Sequence, residues 1–353
     1  MNHLVKLSRY KKELAQFKKG ELVIPRRVQI DPVSYCNHDC QFCTYRYTRD
    51  ADMNALFDLK DMIPYPKFIE ILDDCVELDI KAIELTGGGE PSLHREFVDI
   101  LKEINDRNIE IGLITNGAWR PKYFDLISDQ LQTAEWVRFS LDAATPETHK
   151  KTHSSKTGDF EIAISAIQSL IGGETTVGIS FIVQNQNVHE IEDAVKLAEE
   201  LKVDYIRLGG VMFEGTERID HMELTLEEHV ETMELIKKLQ SSYDVNIIDN
   251  FADRSCTDFE RYETGDTCYY SYLGTVIGAD LRLYPCCIWK YRPGGVIADL
   301  NEVRLADAWL SRAIDKFYES FDIGEKCKRC YLKDKNDFVH LILQDEIEHV
   351  NFV

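Results

Sequence analysis

Two kinds of apolar pattern alternate along most of the chain, between residues 28 and 240. Short runs rich in β-branched residues predict strands, and longer stretches with apolar residues three or four positions apart predict helices. Phe97, Ile100 and Ile104 illustrate the second kind, because they fall on one face of a helix. The predicted strands cover residues 28–33, 81–86, 109–115, 136–142, 176–183 and 204–208. The predicted helices cover residues 96–105, 122–131, 160–171, 190–201 and 226–239.

This order predicts an α/β fold built from six strand–helix units in series. Repeated strand–helix–strand order implies a parallel sheet with right-handed crossovers. The periodicity by itself does not separate an open doubly wound sheet from a partial barrel. In barrels of this kind, catalytic and binding residues lie at the carboxyl ends of the strands. The polar residues that directly follow the predicted strands are therefore the candidates for chemistry.

Composition and charge narrow the class of protein. The 353 residues are 44% hydrophobic, and no apolar run is long enough to span a bilayer. The net charge of −21 disfavours nucleic acid and leaves an amine-bearing substrate possible in principle. Residues 6–19 read as a basic amphipathic helix and not as a targeting peptide. Ten cysteines without a secretory signal predict a cytoplasmic protein that uses thiols to bind metal, with no membrane partner.

The densest chemical signal is a cysteine triplet just past the first predicted strand. Cys36, Cys40 and Cys43 are spaced Cys-x3-Cys-x2-Cys, with Phe42 before the third cysteine. Three thiolates this close can bind three corners of an iron–sulfur cube and leave the fourth iron open. Zinc usually takes four ligands, commonly in two Cys-x2-Cys pairs, and a disulfide framework is disfavoured in a chain of this length without a signal peptide.

The triplet and Phe42 resemble the signature of the radical S-adenosylmethionine (SAM) superfamily. The resemblance implies a [4Fe–4S] cluster whose open iron chelates the amino and carboxylate groups of SAM. It further implies reductive cleavage of SAM to a 5′-deoxyadenosyl radical that abstracts hydrogen from the substrate. The resemblance also favours a partial (β/α)6 barrel over an open doubly wound sheet. It implies an external one-electron reductant of the flavodoxin or ferredoxin type.

A glycine-rich turn follows the second predicted strand. Gly88, Gly89 and Glu90 occur in the sequence Thr-Gly-Gly-Gly-Glu-Pro. Glycines let backbone amides approach a ligand closely, although a plain tight turn would have the same composition. The turn resembles the Gly-Gly-Glu motif of radical SAM enzymes, which implies contact between Glu90 and the amino group of SAM.

Polar residues also close the next three strands. Asn116 follows the third strand, Ser140 and Asp142 end the fourth, and Gln184 ends the fifth. Each of these residues could simply cap a strand-to-loop turn. The resemblance implies that they contact SAM, with Ser140 and Asp142 at its ribose.

One stretch departs from the family pattern. Relatives often carry an arginine shortly after the fourth strand, where this chain has Lys151 and His153. Either residue could replace that arginine, so the partner of the SAM carboxylate is left open.

The last hundred residues lack the strand–helix alternation and carry a second set of cysteines. The pattern at 275–286 predicts a β-hairpin. The cysteines of this region are Cys256, Cys268, Cys286, Cys287, Cys327 and Cys330. A zinc site remains an alternative reading of their spacing.

This region resembles the auxiliary-cluster domain of radical SAM enzymes, in its shortened twitch form rather than the full SPASM form. The resemblance implies that Cys268, Cys286, Cys327 and Cys330 coordinate one auxiliary [4Fe–4S] cluster, with Cys287 as the alternative to Cys286. We therefore predict a helical extension at 1–25, a barrel at 26–249 and a small α+β auxiliary domain at 250–353.

The sequence determines the reaction less closely than the fold or the cofactors. One fully coordinated auxiliary cluster resembles the arrangement of radical SAM dehydrogenases, which favours dehydrogenation or epimerisation of a sugar or aminocyclitol. Epimerisation would use a free thiol as hydrogen donor, for which Cys256 is the candidate. Modification of a peptide or protein side chain is the alternative. A non-catalytic, metal-stabilised binding protein is the second alternative.

Overall fold

The structure, a computed structural model, describes residues 3–47, 55–211, 222, 224–251, 262–263, 265–327, 330 and 332–344. Within these residues ten strands form one sheet. They are β1 Arg27–Ile30, β2 Ala82–Leu85, β3 Glu110–Thr115, β4 Trp136–Ser140, β5 Thr176–Val183, β6 Tyr205–Gly210, β7 Asn246–Asn250, β8 Gly274–Ile277, β9 Arg282–Tyr284 and β10 Ala298–Asp299.

The α-helices of the described residues connect and cover these strands. They are α1 His3–Leu7, α2 Lys11–Lys19, α3 Thr44–Tyr47, α4 Tyr65–Glu77, α5 Phe97–Asp106, α6 Phe124–Leu131, α7 Pro146–His153, α8 Asp159–Leu170, α9 Ile191–Leu201, α10 Leu226–Gln240, α11 Tyr270–Leu273, α12 Leu305–Leu310, α13 Ala313–Tyr318, α14 Ile323–Lys326 and α15 Lys333–Leu343.

The sheet is mostly parallel, in the order β10-β9-β8-β1-β2-β3-β4-β5-β6-β7. Neighbouring strands from β1 to β7 pair in parallel, as expected for helical crossovers. β8 pairs in parallel with β1 and antiparallel with β9, which forms the predicted hairpin. The predicted α/β class is therefore confirmed.

The five predicted helices of the alternating region agree with the structure to within about two residues at each end, which is the ordinary scatter of helix boundaries. Three features differ from the prediction. β7 is a further parallel strand, and α7 has no apolar stripe because its sequence is Pro-Glu-Thr-His-Lys-Lys-Thr-His. Thr145 caps α7 by accepting a hydrogen bond from the backbone N–H of Thr148. The N-terminal helix is two helices, α1 and α2.

The strands separate a helix-covered core from an inner face. On β4, Val137 and Phe139 are buried in the main hydrophobic core. Trp136, Arg138 and Ser140 alternate with them, are only half-buried, and point to the opposite face. We call this opposite face of β1–β7 the lumen. Its polar lining shows that it is not a second apolar core.

The chain returns to the barrel after residue 250. β8 lies beside β1, with Gly274 opposite Arg27. Asn336 on α15 is buried, donates to the carbonyl of Thr267 and accepts from the backbone N–H of Tyr270. The sheet therefore crosses the predicted boundary at residue 250, and the three domain limits remain predictions.

No helix in the described part of the chain combines the length and apolar character needed to cross a bilayer.

Candidate functional site

The cysteine triplet lies on the loop that leaves the carboxyl end of β1. Cys36, Cys40 and Cys43 are half-buried, and the backbone N–H of Cys43 donates to the carbonyl of Cys40 at 3.0 Å. Burial raises the pKa of Cys36 to about 12, and the charges of Glu90 and of the other two thiols act in the same direction. Metal binding would replace the proton, because only the thiolate is a ligand. The donor set fits an iron–sulfur cluster with three protein ligands.

The imidazole ring of His153 is in hydrogen-bond contact with Cys40. Its Nδ1 lies 3.1 Å from Cys40 Sγ, and its Nε2 lies 3.1 Å from the carbonyl oxygen of Leu141 and 3.2 Å from Asp142 Oδ2. Burial alone would lower the pKa of His153, but the charge of Cys40 and the hydrogen bond with Asp142 raise it to about 10. This rise favours the protonated ring, which can donate to Cys40 on one side and to the Leu141 carbonyl on the other.

Two further histidines, His38 and His149, pack against the ring of His153. The rings of His149 and His153 stack at 4.5 Å, and His38 meets both of them edge-on. Burial, together with the charge of His153, lowers the pKa of His38 to about 4 and that of His149 to about 2. These shifts favour a positive charge on His153 rather than on His38 or His149. The sequence analysis assigned no role to His38 or His149, although His38 lies between Cys36 and Cys40.

His38, Cys40 and His153 place their ligand atoms within 4.8 Å of one another, which is the geometry of a possible metal site. His38 Nε2, however, lies 3.2 Å from Asp159 Oδ2, and both nitrogens of His153 have partners. We interpret the group as hydrogen-bonded support for a cluster ligand, because such outer partners orient metal ligands and tune them.

The glycine-rich turn packs directly on the triplet loop. A Cβ atom at Gly89 would lie 2.1 Å from the carbonyl oxygen of Tyr35, and one at Gly88 would lie 2.3 Å from the ring of Phe57. The backbone N–H of Glu90 donates to the same carbonyl of Tyr35. The glycines are therefore needed for close approach of the chain to itself, which positions the turn beside the triplet.

The Glu90 carboxylate is buried and well supplied with donors. It accepts from the hydroxyl of Thr115 at 2.6 Å and from the backbone N–H groups of Ser92 and Asn116 at 3.1 and 2.8 Å. Burial raises its pKa, and these hydrogen bonds oppose the rise. The Asn116 amide donates to Asn37 Oδ1 at 2.9 Å, so the end of β3 is joined to the triplet loop. The SAM contacts of Glu90 and Asn116 remain predictions.

The ends of β4 and β5 meet the same loop. Asp142 has a φ of 50°, lies buried, and accepts a hydrogen bond from the backbone N–H of Ile182 at 2.5 Å. Ser140 is half-buried on the lumen face, opposite Ser180. Phe42 meets the ring of His153 at 5.7 Å. The ribose contacts predicted for Ser140 and Asp142 are not tested by this geometry.

The buried amide group of Gln184 indicates whether a polar cofactor would fit at the end of β5. It is 1% exposed, and neither its amide oxygen nor its amide nitrogen has a hydrogen-bond partner among the described residues. A buried polar group without a partner is costly. A ligand with polar groups at the carboxyl end of β5, such as SAM, would remove that cost.

The two candidates for the position of the family arginine lie in different surroundings. Lys151 is exposed, and His153 is in contact with Cys40. The partner of the SAM carboxylate remains open between them. Cys256 lies outside the described residues.

A buried ion pair beside the turn was missed by the sequence analysis. Lys290 Nζ lies 2.5 Å from Asp31 Oδ2, and both side chains are fully buried. The same oxygen accepts from the backbone N–H of Gly88 and from the hydroxyl of Tyr291. Lys290 also lies 4.9 Å from the ring centre of Tyr45. The signal that could have revealed this pair is the charged residue Asp31 within a predicted strand that is mostly apolar.

The C-terminal thiols lie near one another and form a second group of cysteines. Burial raises the pKa of Cys286 well above its usual range, and the neighbouring thiols raise it further, in the order Cys287, Cys268, Cys330 and Cys327. Four thiolates can coordinate a [4Fe–4S] cluster completely. The donor set therefore fits an auxiliary cluster.

Cys287 differs from Cys286 in its surroundings. The charge of Cys287 raises the pKa of four residues outside the group of C-terminal thiols, namely Arg27, Tyr45, Tyr270 and Lys335. Cys287 also acts on two of the other C-terminal thiols, Cys286 and Cys330. The choice between Cys286 and Cys287 as the auxiliary ligand therefore remains a prediction.

Comparison with known proteins gives a consistent result. The profile of the Radical SAM superfamily matches residues 30–198. The tungsten-containing aldehyde ferredoxin oxidoreductase cofactor-modifying protein of Pyrococcus furiosus is 22% identical over an alignment of 345 positions that covers 88% of each chain. A probable GTP 3′,8-cyclase of Saccharolobus islandicus is 27% identical over an alignment of 221 positions that covers 59% of this chain and 65% of the cyclase. The match thus spans less than two thirds of the cyclase.

Solved structures share the fold. Streptococcus suis SuiB bound to S-adenosylmethionine superposes with a TM-score of 0.65 at 18% identity, over 96% of this chain and 79% of SuiB. Native anSMEcpe with bound AdoMet superposes with a TM-score of 0.60 at 16% identity, over 87% of both chains. The predicted α/β fold with a partial barrel is confirmed. Residues 30–198 of the chain therefore match the radical SAM superfamily, and the donor sets described above fit the cofactors of that superfamily, SAM and a [4Fe–4S] cluster.

Proposed function

We propose that this enzyme abstracts a hydrogen atom from a small polar molecule bound in the lumen and releases a dehydrogenated or epimerised product. The observation that carries the proposal is the gathering of Cys268, Cys286, Cys327 and Cys330. Four thiols leave no open iron for substrate, so the auxiliary site suits electron transfer instead. Cys287 adjoins Cys286 in the sequence, and its charge raises the pKa of Arg27 on β1, so it lies between this site and the barrel.

The lumen supports a polar substrate. Ser140 and Ser180 lie opposite each other on β4 and β5, and Arg207 follows on β6 in the same row of the sheet. Hydroxyl groups and a guanidinium group bind hydroxylated molecules better than apolar ones. A site of this kind orients the carbon atom that loses hydrogen, while the cofactor supplies the difficult chemistry.

The proposed dehydrogenation balances without an added oxidant. When bound, the cofactors supply a 5′-deoxyadenosyl radical and a one-electron acceptor. The carbinol carbon of the substrate loses a hydrogen atom, its hydroxyl loses a proton, and one electron returns to the protein to complete the ketone. A flavodoxin- or ferredoxin-type donor would supply the first electron.

Anaerobic assays with SAM, dithionite and cyclic polyols deuterated at each carbinol carbon test the proposal. We expect 5′-deoxyadenosine that carries deuterium, together with an equivalent of ketone trapped by a hydrazine reagent. Epimerisation would instead give solvent deuterium in the product in D2O, with Cys256 or Cys287 as the thiol to test by substitution. Cleavage of SAM without a change in any polyol would contradict the proposal.

Peptide modification is the second candidate, and a specific observation favours it. SuiB has been solved with the precursor peptide SuiA, and anSMEcpe has been solved with a peptide. Both share the fold of this chain. Transfer of deuterium from a labelled peptide to 5′-deoxyadenosine, with no transfer from polyols, would establish this function instead.

A further inference from the structure

The N-terminal helices carry a concentration of positive charge on a chain whose net charge is −21. Residues 6–19 hold six basic residues and one acidic residue, and the six basic residues are all exposed. The acidic residue, Glu13, is buried and lies 3.2 Å from Arg26. The segment therefore presents its positive charge to solvent. We call its exposed cations the basic surface, which comprises Lys6, Arg9, Lys11, Lys12, Lys18 and Lys19.

The lysines of α2 lie on one face of that helix. Lys11 and Lys18 are seven positions apart, as are Lys12 and Lys19, and seven positions are about two helical turns. Phe17 points to the opposite face and packs into an apolar cluster that α1, α2 and α15 share. Because the apolar face of α2 is already covered, the helix offers a partner its charge and does not offer a membrane an apolar face to insert.

The basic surface adjoins the segment that carries Cys268. The ring of Phe17 meets the rings of Tyr269 and Tyr272 edge-on, with centroids 5.2 and 5.7 Å away. Tyr269 directly follows Cys268 in the sequence. One layer of aromatic side chains therefore lies between α2 and this cysteine.

Cys268 belongs to the second group of cysteines by packing as well as by charge. Three of the thiols in that group pack against one small apolar cluster, which comprises Tyr262, Phe321 and Ile323. These thiols are Cys268, Cys327 and Cys330. The basic surface therefore lies next to the region that we propose to accept an electron.

Exposed carboxylates near the basic surface balance only part of its charge. Glu21 lies 3.8 Å from Lys19. A hydrogen bond from Lys81 lowers the pKa of Asp79, and the charge of Lys12 adds to this effect. The side chains of Glu21 and Asp79 are both more than half exposed, so water weakens these attractions. Two such carboxylates do not balance six exposed cations.

Apolar side chains are exposed beside the same cations. Val5 on α1 is 47% exposed and Leu341 on α15 is 48% exposed, and these two helices are in contact. Protein interfaces combine apolar contacts with a polar, solvent-accessible rim. An extended surface of this composition suits a protein partner better than a small anion.

We propose that the basic surface binds an acidic one-electron carrier protein, which takes up an electron from the neighbouring auxiliary site. This rests on the proposed function, because dehydrogenation leaves one electron on the protein. One electron passes to the oxidised carrier, and no bond or proton changes with it. The remainder of the chain is strongly acidic, so it repels such a carrier elsewhere and steers it toward the basic surface.

Binding of an acidic flavodoxin to the anaerobically reconstituted enzyme tests the proposal. By calorimetry we expect a Kd of about 10 μM or below at about 50 mM salt. Raising the salt to about 0.5 M should weaken the binding at least about tenfold, because salt screens charges at an exposed interface.

Electron transfer is measured with the variant in which Cys36, Cys40 and Cys43 are changed to Ala, so that the C-terminal site is the electron donor. This variant is reduced beforehand and mixed with oxidised flavodoxin. We expect the flavin semiquinone to form, which its absorbance reports, at a rate that falls as salt is raised.

Reversal of two charges on α2 provides the variant test. Lys18→Glu together with Lys19→Glu should weaken flavodoxin binding at least about tenfold. The matched control is Lys237→Glu together with Lys238→Glu, which reverses the same two charges in the exposed last turn of α10. The control should keep its affinity within about twofold of the original protein.

A second pair of substitutions keeps the test valid if the first pair impairs folding. Lys11→Glu together with Lys12→Glu lies in the first turn of α2, where acidic residues favour the helix. This pair should also weaken flavodoxin binding at least about tenfold. Iron content and the unfolding temperature verify that each variant is folded.

Equal losses in the α2 and α10 variants, an affinity that does not change with salt, or bound flavodoxin that gains no electron would overturn the proposal. Binding of phosphatidylglycerol vesicles or of a DNA duplex without binding of flavodoxin would also overturn it. Carrier binding and electron transfer are measured without substrate. A failed dehydrogenation assay with both intact would therefore reject the proposed reaction and not the docking surface.

Discussion

A buried histidine in hydrogen-bond contact with Cys40 is the clearest feature at the scale of single residues. His153 lies between Cys40 and Asp142, where both of its nitrogens have partners. A donated hydrogen bond and a positive charge next to a ligand sulfur favour the reduced form of an iron–sulfur cluster. The residue therefore suits tuning of the radical cluster more than contact with SAM.

We expect His153→Ala to make the radical cluster harder to reduce and to weaken its iron binding about 10- to 100-fold, the usual cost of losing an outer-sphere partner. The measurement is the midpoint potential and iron content of the anaerobic protein. His189→Ala, at an exposed position, is the control. An unchanged potential would mean that His153 serves only packing.

The adjacent thiols Cys286 and Cys287 allow a second prediction at this scale. The sequence predicts Cys286 as the auxiliary ligand, so Cys286→Ala should remove the auxiliary cluster, whereas Cys287→Ala should leave it in place. Iron content and the visible absorption of each purified variant decide this. Loss of iron in the Cys287 variant alone would reverse the assignment.

At the scale of elements, aromatic side chains in the lumen depend on glycines in the neighbouring strands. Trp136 lies across Gly112, and Tyr205 lies across Gly178, at distances that leave no room for a Cβ atom. A glycine inside a strand weakens the strand, so its presence there has a packing reason. These two contacts set the width of the lumen next to Arg138.

Gly178→Ala should destabilise the protein by about 1–3 kcal/mol, because the new methyl group must displace the ring of Tyr205. Gly209→Ala on β6 is a matched control, since its methyl group would lie 3.8 Å from Ile182. Urea unfolding of both variants measures the difference. A Gly178 variant as stable as the control would show that Tyr205 moves freely.

At the scale of the whole molecule, one buried ion pair joins the two ends of the fold. Asp31 follows β1 beside the cysteine triplet, and Lys290 follows the auxiliary cysteines. Gly88 of the glycine-rich turn binds the same carboxylate. The pair thus links both metal regions and the turn through a single carboxylate group.

Lys290→Met should lower the free energy of unfolding by about 3–5 kcal/mol, because it leaves the buried Asp31 without a counter-charge. The double variant with Asp31→Asn should recover part of this loss, as it also removes the unpaired charge. Urea unfolding of the two single variants and the double variant measures the coupling. Equal stability of Lys290→Met and the original protein would contradict the prediction.

The number of clusters is also a property of the whole molecule. Anaerobically reconstituted protein should hold about eight irons, and a variant with Cys36, Cys40 and Cys43 changed to Ala should hold about four. Iron and sulfide analysis measures both. About four irons falling to none, with zinc present, would make the C-terminal site structural and would remove the support for dehydrogenation.

The sequence by itself determined the alternating strands and helices, the cysteine triplet and the second set of cysteines. These features are local, because periodicity and ligand spacing are properties of neighbouring residues. β7 escaped prediction because its sequence Asn-Ile-Ile-Asp-Asn is short and mostly polar, and α7 escaped because it has no apolar stripe.

Only the tertiary structure decided which distant residues meet. Sequence analysis left the role of His153 open, and nothing in the chain indicated that it would lie beneath Cys40. Asp31 and Lys290 form a buried ion pair although more than 250 positions separate them. Strand order and register place Ser140, Ser180 and Arg207 in one row, and no local pattern records that register. The cysteines that could bind metal were therefore readable in the sequence, whereas the contacts among distant residues depend on how the strands pair.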